Sequence, residues 1–206
     1  MKNKIYQGQI KNGYGGIREC DSYVKDRYGG AYSLEKEKEL PLEPFSMREI
    51  STDKNNCVLT GITRIILYHL KRKVSVGAIY CQVKAIATQK GFSTKKGLPF
   101  HKIRGVLKLV AEAFGLQSCR VKSVYLFRIF HAVKKEIDAG NPVLLNISWG
   151  YYKNHTVTGI GYRIYKRNRR TCLFIVVYDG WTNQKMFLDV RRFWVPKSLT
   201  ILQRTQ

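Results

Sequence analysis

A chain of 206 residues, 44% hydrophobic and 12% aromatic, is long enough for one domain with a real core or for two small lobes. No apolar run in it is long enough to span a bilayer. Lys and Arg number 37 against 14 Asp and Glu, a formal charge of +23, and such a field attracts polyanions: nucleic acid, anionic lipid, anionic cell-wall polymer or acidic peptide. No helix-turn-helix, zinc-finger or aromatic RNA-binding signature accompanies that charge, so the expectation is a solvated basic surface with non-specific polyanion affinity. The start, Met1-Lys2-Asn3-Lys4-Ile5-Tyr6, has no apolar stretch behind its lysines, so no secretory signal is expected. That leaves the cytoplasm, or a secreted protein whose leader has been removed. The cysteines, Cys20, Cys57, Cys81, Cys119 and Cys172, are odd in number and widely spaced, with no CxxC pair. Neither a disulfide framework, a zinc site nor any other cofactor is expected from them. Cys81, Cys119 and Cys172 read as small core residues.

In chain order, residues 1–44 read as an N-terminal arm or leader-like segment, with Gly15-Gly16, Gly29-Gly30, scattered tyrosines, the run Glu35-Lys36-Glu37-Lys38-Glu39, and Pro41 and Pro44 closing it. The glycines argue against regular structure there, apart from short strands. Residues 45–206 read as the main domain, a helical lobe over 45–140 followed by a β lobe over 141–206. The first helix opens at Cys57 and places Val58, Leu59, Ile62, Ile65, Ile66 and Leu70 on one face. A second, capped by Ser75, carries Val76, Ile79, Tyr80, Val83, Ile86 and Ala87 and ends at Gly91. Pro99 suits the first turn of a third, which carries Ile103, Val106, Leu107, Val110 and Phe114 and stops at Gly115. A fourth runs through Phe127, Phe130, Val133 and Ile137 to Gly140. Strands are expected over residues 142–148, 156–165, 172–178, 186–190 and 199–202. The basic run Lys166-Arg167-Asn168-Arg169-Arg170 falls between two of them as a hairpin loop. Helices followed by an antiparallel meander make an α+β layout.

Three sites in this layout carry chemistry. Cys57 follows Asn55 and Asn56, both good N-caps, and so sits in the first turn of a helix. The positive end of the helix dipole favours a thiolate there. A free thiol with a pKa of about 8.5 is only a few per cent ionised at neutral pH, and a histidine beside it would raise that fraction much further. His155 opens the strand Thr156-Val157-Thr158-Gly159-Ile160-Gly161-Tyr162. Asp179 ends the next, in Tyr178-Asp179-Gly180-Trp181.

Nucleophile at a helix start, then histidine on a strand, then acid at a strand end, resembles the papain-like superfamily of cysteine peptidases. More closely it resembles the bacterial peptidases related to those that cleave leader peptides after a double glycine. The resemblance covers about residues 50–190. It rests on Asn56-Cys57, on Gly140-Asn141-Pro142-Val143-Leu144-Leu145, on His155 to Tyr162, and on Asp179-Gly180-Trp181. His155 follows Cys57 by 98 residues (155 − 57) and Asp179 follows His155 by 24 (179 − 155), which resembles the compact branch.

The resemblance implies a papain-like fold and a peptide or protein substrate. It makes Cys57 the nucleophile that forms an acyl-thioester, His155 the acid and base, and Asp179 the residue that orients the imidazole. The Cys57 backbone N–H and one side-chain donor would hold the oxyanion. Two positions depart from the family. Ser51 stands six residues before the nucleophile, where a glutamine is usual, and Val58 follows it in place of glycine. Asn55 and Asn56 are the substitute donors, with Ser51 a third by position. Alternatives are a catalytically weak domain whose basic surface recruits an anionic partner, and a cell-wall amidase or phytochelatin-synthase-like transferase with the same Cys-His-acid logic. His69, His101 and His131 are expected on helix surfaces or in helix packing. Trp149, Trp181 and Trp194 are expected mainly in the core of the β half, with a cleft-lining role as the alternative.

Overall fold

The computed structural model describes residues 15–71, 73–125, 129–148, 152, 154–192 and 197–204. The helices are α1 (Cys20–Tyr28), α2 (Met47–Ile50), α3 (Cys57–His69), α4 (Val76–Gln89), α5 (Ile103–Ala113) and α6 (Ile129–Asp138). The strands are β1 (Ser33–Glu39), β2 (Cys119–Tyr125), β3 (Val143–Ile147), β4 (His155–Arg167), β5 (Arg170–Tyr178), β6 (Lys185–Asp189) and β7 (Lys197–Arg204). The architecture is α+β and papain-like.

Among the described residues the strands form one seven-stranded sheet, in the order β2-β7-β3-β4-β5-β6, with β1 also on β4. Every pairing is antiparallel. Strand β3 is buried on both faces and separates two cores. Val143, Leu145 and Ile147 pack with α1, α6 and the rest of the sheet, while Leu144 joins α3, α4 and α5 on the other side. Alternate residues of a strand point to opposite faces, so one short apolar strand serves both.

Helix α3, the carrier of Cys57, lies hard against this sheet. A Cβ at Gly61 would come within 2.6 Å of Leu144 Cδ2, so the close approach needs glycine. One turn further on, Arg64 is buried at 1% exposure. It donates to Thr158 Oγ1 (2.8 Å), to the Glu43 carbonyl (3.2 Å) and to the Phe45 carbonyl (2.5 Å). Its guanidinium also sits over the Phe45 and Tyr178 rings. A cation in an apolar stripe thus clamps the segment entering α2 to both α3 and β4.

Two stretches depart from the expectation. Within the presumed arm, Cys20, Tyr23 and Val24 form a buried stripe of spacing 3 and 4, through which the short helix α1 packs on the core. Asp21 in its first turn and Lys25 and Arg27 in its last complement the helix dipole. The Tyr23 and Tyr28 hydroxyls donate to the buried Asp189 carboxylate at 3.1 and 2.5 Å and fix the helix to the end of β6. The Glu-Lys run is strand β1, one of the short strands allowed there. Second, β2 lies within the presumed helical lobe and pairs with β7, so the sheet draws on that half too. Phe127 lies outside the described residues; α6 begins at Ile129.

Candidate active site

Asn56 is the N-cap of α3, and its carbonyl accepts the first helical bond, from Thr60 N–H at 2.9 Å. Cys57 is therefore the first helical residue, partly buried, in the turn whose N–H groups have no partner along the helix. Across the cleft, Asn154 has a left-handed φ of 48° and turns the chain into β4, whose first residue is His155. The Cys57 thiol and the His155 imidazole line the same cleft, and each shifts the ionisation of the other. Its Nε2 lies 2.7 Å from the Asp179 backbone carbonyl. A carbonyl can only accept, so Nε2 carries the proton and Nδ1 is left to face the sulfur.

The partner of His155 is thus the main chain of Asp179 and not its carboxylate. That carboxylate is 1% exposed and employed elsewhere. Oδ1 accepts from the backbone N–H of Trp181 at 2.9 Å, with Thr182 N–H at 3.5 Å, and Oδ2 accepts the Tyr152 hydroxyl at 3.1 Å. The side chain shapes the 179–182 turn; the turn presents the carbonyl. Met47 N–H, at the start of α2, donates to the Gly180 carbonyl at 2.7 Å and holds the same turn from the other side.

Aromatic rings enclose the imidazole. Tyr152 stacks on it at 5.4 Å and 20°, and Trp181 lies against it at 4.8 Å and 33°. Trp181 also lines the cleft; Trp149 and Trp194 lie outside the described residues.

The electrostatics follow from this packing. Burial pushes the Cys57 thiol up. The hydrogen bond and charge of His155, with the backbone N–H groups of Thr156 and Val58, outweigh that and hold it below its ordinary value. Burial pushes His155 down, while the thiolate and then the Asp179 carbonyl and charge bring it above its ordinary value. Both shifts run toward the charged form of the group. Buried Cys20, by contrast, is pushed up to about 12 by desolvation.

The oxyanion candidates are not brought together at Cys57. Asn56 is buried, and its amide donates to the Tyr80 hydroxyl (3.2 Å) and the Met47 carbonyl (3.4 Å). Ser51 donates to Asp53 Oδ2 at 2.8 Å. Asn55 lines the cleft, but its amide donates to the Thr94 and Lys95 carbonyls at 2.9 and 3.1 Å.

The cleft has a volume of about 700 Å³. Val58, Leu98, Phe100, Ile103, Tyr125 and Ile147 give it apolar walls. A polar ladder crosses the sheet beside it: Thr156 Oγ1 donates to Asn146 Oδ1 (2.8 Å), whose amide donates to Ser198 Oγ (3.1 Å). Sequence reasoning missed this ladder and Tyr152, because cross-strand register and a loop ring contact leave no local pattern. A larger cavity, about 810 Å³, opens at the far end of α3 beside Tyr68 and His69 and contains none of these groups. His69 is buried, and His101 and His131 are exposed. Among the described residues no cluster of three metal-ligating side chains occurs.

The model of the Peptidase_C39 like family matches residues 45–194. The chain belongs to this family. Membership in the Peptidase_C39 like family points to a cysteine peptidase-type domain, and the match takes in Cys57, His155 and Asp179 while leaving α1 and β1 outside it. Comparison with curated proteins finds no match. No described helix is long and apolar enough to cross a membrane.

Proposed function

We propose that this member of the Peptidase_C39 like family is a cysteine peptidase that cleaves peptide or amide bonds through an acyl-thioester on Cys57. The observation that carries the reading is the juxtaposition of Cys57, at a helix N-terminus, and His155 in one cleft, with an imidazole nitrogen fixed by the Asp179 carbonyl. Cys57 attacks the carbonyl carbon as thiolate. The oxyanion that develops meets the Cys57 backbone N–H at the helix start, where the dipole favours negative charge. Imidazolium His155 gives its proton to the leaving amine, then as neutral base takes one from the water that attacks the thioester. An acceptor other than water would make the same site a transferase. For the second oxyanion donor we favour Asn55, the one of the three candidates that lines the cleft; to serve, its amide must leave the 94–95 carbonyls.

A panel of activated peptide esters tests this. The expected result is a covalent acyl adduct, located by mass spectrometry on Cys57 and absent in Cys57→Ala. A panel that leaves Cys57 unmodified, while the folded protein still titrates five thiols on denaturation, would contradict the reading.

A second feature supports an anionic partner. Arg167, Arg169 and Arg170 are exposed at the turn between β4 and β5 and add to the +23 charge. We expect heparin or nucleic acid to bind with an affinity that falls steeply with salt. Affinity that stays flat between low and high salt would remove charge as the determinant.

A further inference from the structure

We infer that Tyr152 is a positioning residue for His155 and that Gly16, in the N-terminal segment, holds Tyr152 in place. The inference rests on the peptidase reading of Cys57 and His155. It concerns residues that the family match either assigns no role or does not reach.

Tyr152 touches the site twice. Its ring stacks on the imidazole at 20°, and its hydroxyl donates to Oδ2 of Asp179, the residue whose carbonyl fixes Nε2. One fully buried side chain therefore restrains both ends of the His155–Asp179 hydrogen bond. Trp181 closes the group, 5.0 Å from the Tyr152 ring. A stacked ring limits rotation of the imidazole about its Cβ–Cγ bond. The hydroxyl limits the swing of the 179–182 turn.

Tyr152 is in turn backed by the segment before α1. Ile17 and Phe187 exchange backbone hydrogen bonds at 2.9 and 2.8 Å, which brings residues 15–17 onto β6. A Cβ at Gly16 would lie 2.6 Å from Met186 Cβ and 2.9 Å from the Tyr152 hydroxyl oxygen. Neither gap admits a methyl group: Met186 belongs to a strand, and the hydroxyl is anchored on Asp179. Any side chain at position 16 must displace Tyr152 or the segment itself. Gly16 lies outside residues 45–194, so the support of the active-site histidine is extended by a part of the chain that the family match does not include.

The test compares Tyr152→Phe, Tyr152→Leu and Gly16→Val with wild type. Gly30→Ala serves as a control, since a Cβ there meets nothing within 4 Å. Among the described residues, the charged and titratable groups at the imidazole are Cys57 on α3, Asp179 after β5 and the Tyr152 hydroxyl, with Arg64 acting on Asp179. The readout is the pH profile of Cys57 alkylation by iodoacetamide, with near-ultraviolet circular dichroism as the check on folding.

In Tyr152→Leu and Gly16→Val the acid limb should move up by about one pH unit, lowering the rate at pH 6 about tenfold. Tyr152→Phe keeps the stack and should shift less, and Gly30→Ala should match wild type. A wild-type profile in all three site variants overturns the inference. So does a loss of thermal stability without movement of the profile, which would mark a purely structural role. If Gly16→Val does not fold, Gly16→Ala takes its place, since its Cβ meets the same two atoms, and a wild-type profile there overturns the role of Gly16. Slow alkylation of wild type at pH 6 would instead sink the peptidase reading itself.

Discussion

Replacing Asp179 by Asn separates two ways of orienting a histidine. If the carboxylate were the partner of His155, Asn would present the wrong group, and losses of about 10⁴ in kcat are the scale for a side-chain orienter. Here the partner is the backbone carbonyl at 2.7 Å, which Asn keeps. Asn Oδ1 can still accept from Trp181 N–H, and its amide can donate to the Tyr152 hydroxyl oxygen, so the 179–182 turn survives. What disappears is one buried negative charge that favours the imidazolium. Its effect on His155 ranks behind those of burial, the thiolate and the carbonyl. As the last-ranked of these effects it should matter little beside that scale, so the expected loss in kcat is about tenfold or less. Asp179→Ala differs: it strands a buried N–H and a buried hydroxyl, at about 1–3 kcal/mol each, and frees the turn. The assay is hydrolysis of a peptide ester, normalised by active-site titration, with melting temperatures alongside. A loss of 10³ or more in folded Asp179→Asn would refute the main-chain assignment.

Three further outcomes follow from the same structure. With Cys57 lowered and His155 raised, the reactive pair is populated between the two titrations, so kcat/KM should rise through the Cys57 step and fall through the His155 step. A single limb near pH 8.5 in the pH–rate profile would contradict this. Arg64→Met should destabilise the fold by at least about 2 kcal/mol in urea, because the buried Phe45 carbonyl and Thr158 Oγ1 and the partly buried Glu43 carbonyl lose their donor; unchanged stability would show that the clamp is idle. Gly61→Ala should cost about 1–3 kcal/mol by overpacking against Leu144, and less in a Leu144→Val background; a double-mutant cycle with no coupling would contradict the close contact.

Much of this site is visible in residue order because its parts obey local rules. The apolar face of α3 runs in helical period and begins at a good cap, so Cys57 is placed at a helix start before any tertiary contact is known. The β3, β4 and β5 segments are apolar runs bounded by Gly, Asn and Pro, which puts His155 and Asp179 at strand ends. Other features depend on contacts distant in sequence. Helix α1 buries only three side chains and owes its place to Asp189, more than 160 positions away. Strand β2 has one buried residue, Val121, and exists because β7 offers it an edge. Asn55, Asn56 and Ser51 are sound donors by type, yet the two amides are claimed by groups that only the fold supplies, and the Ser51 hydroxyl by Asp53, two residues on. The carbonyl of Asp179 is the clearest case. A main-chain acceptor has no residue signature, and the residue type at that position reflects the turn it builds.

The central claim, that His155 activates Cys57, is tested most directly by alkylation of the native protein at pH 6, with each cysteine quantified by peptide mass spectrometry. Wild type should label at Cys57 ahead of Cys20, Cys81, Cys119 and Cys172, and His155→Ala should lose that lead, with Cys57 reacting like an ordinary buried thiol. Equal labelling of Cys57 in wild type and His155→Ala, or faster labelling at another cysteine, would contradict the account.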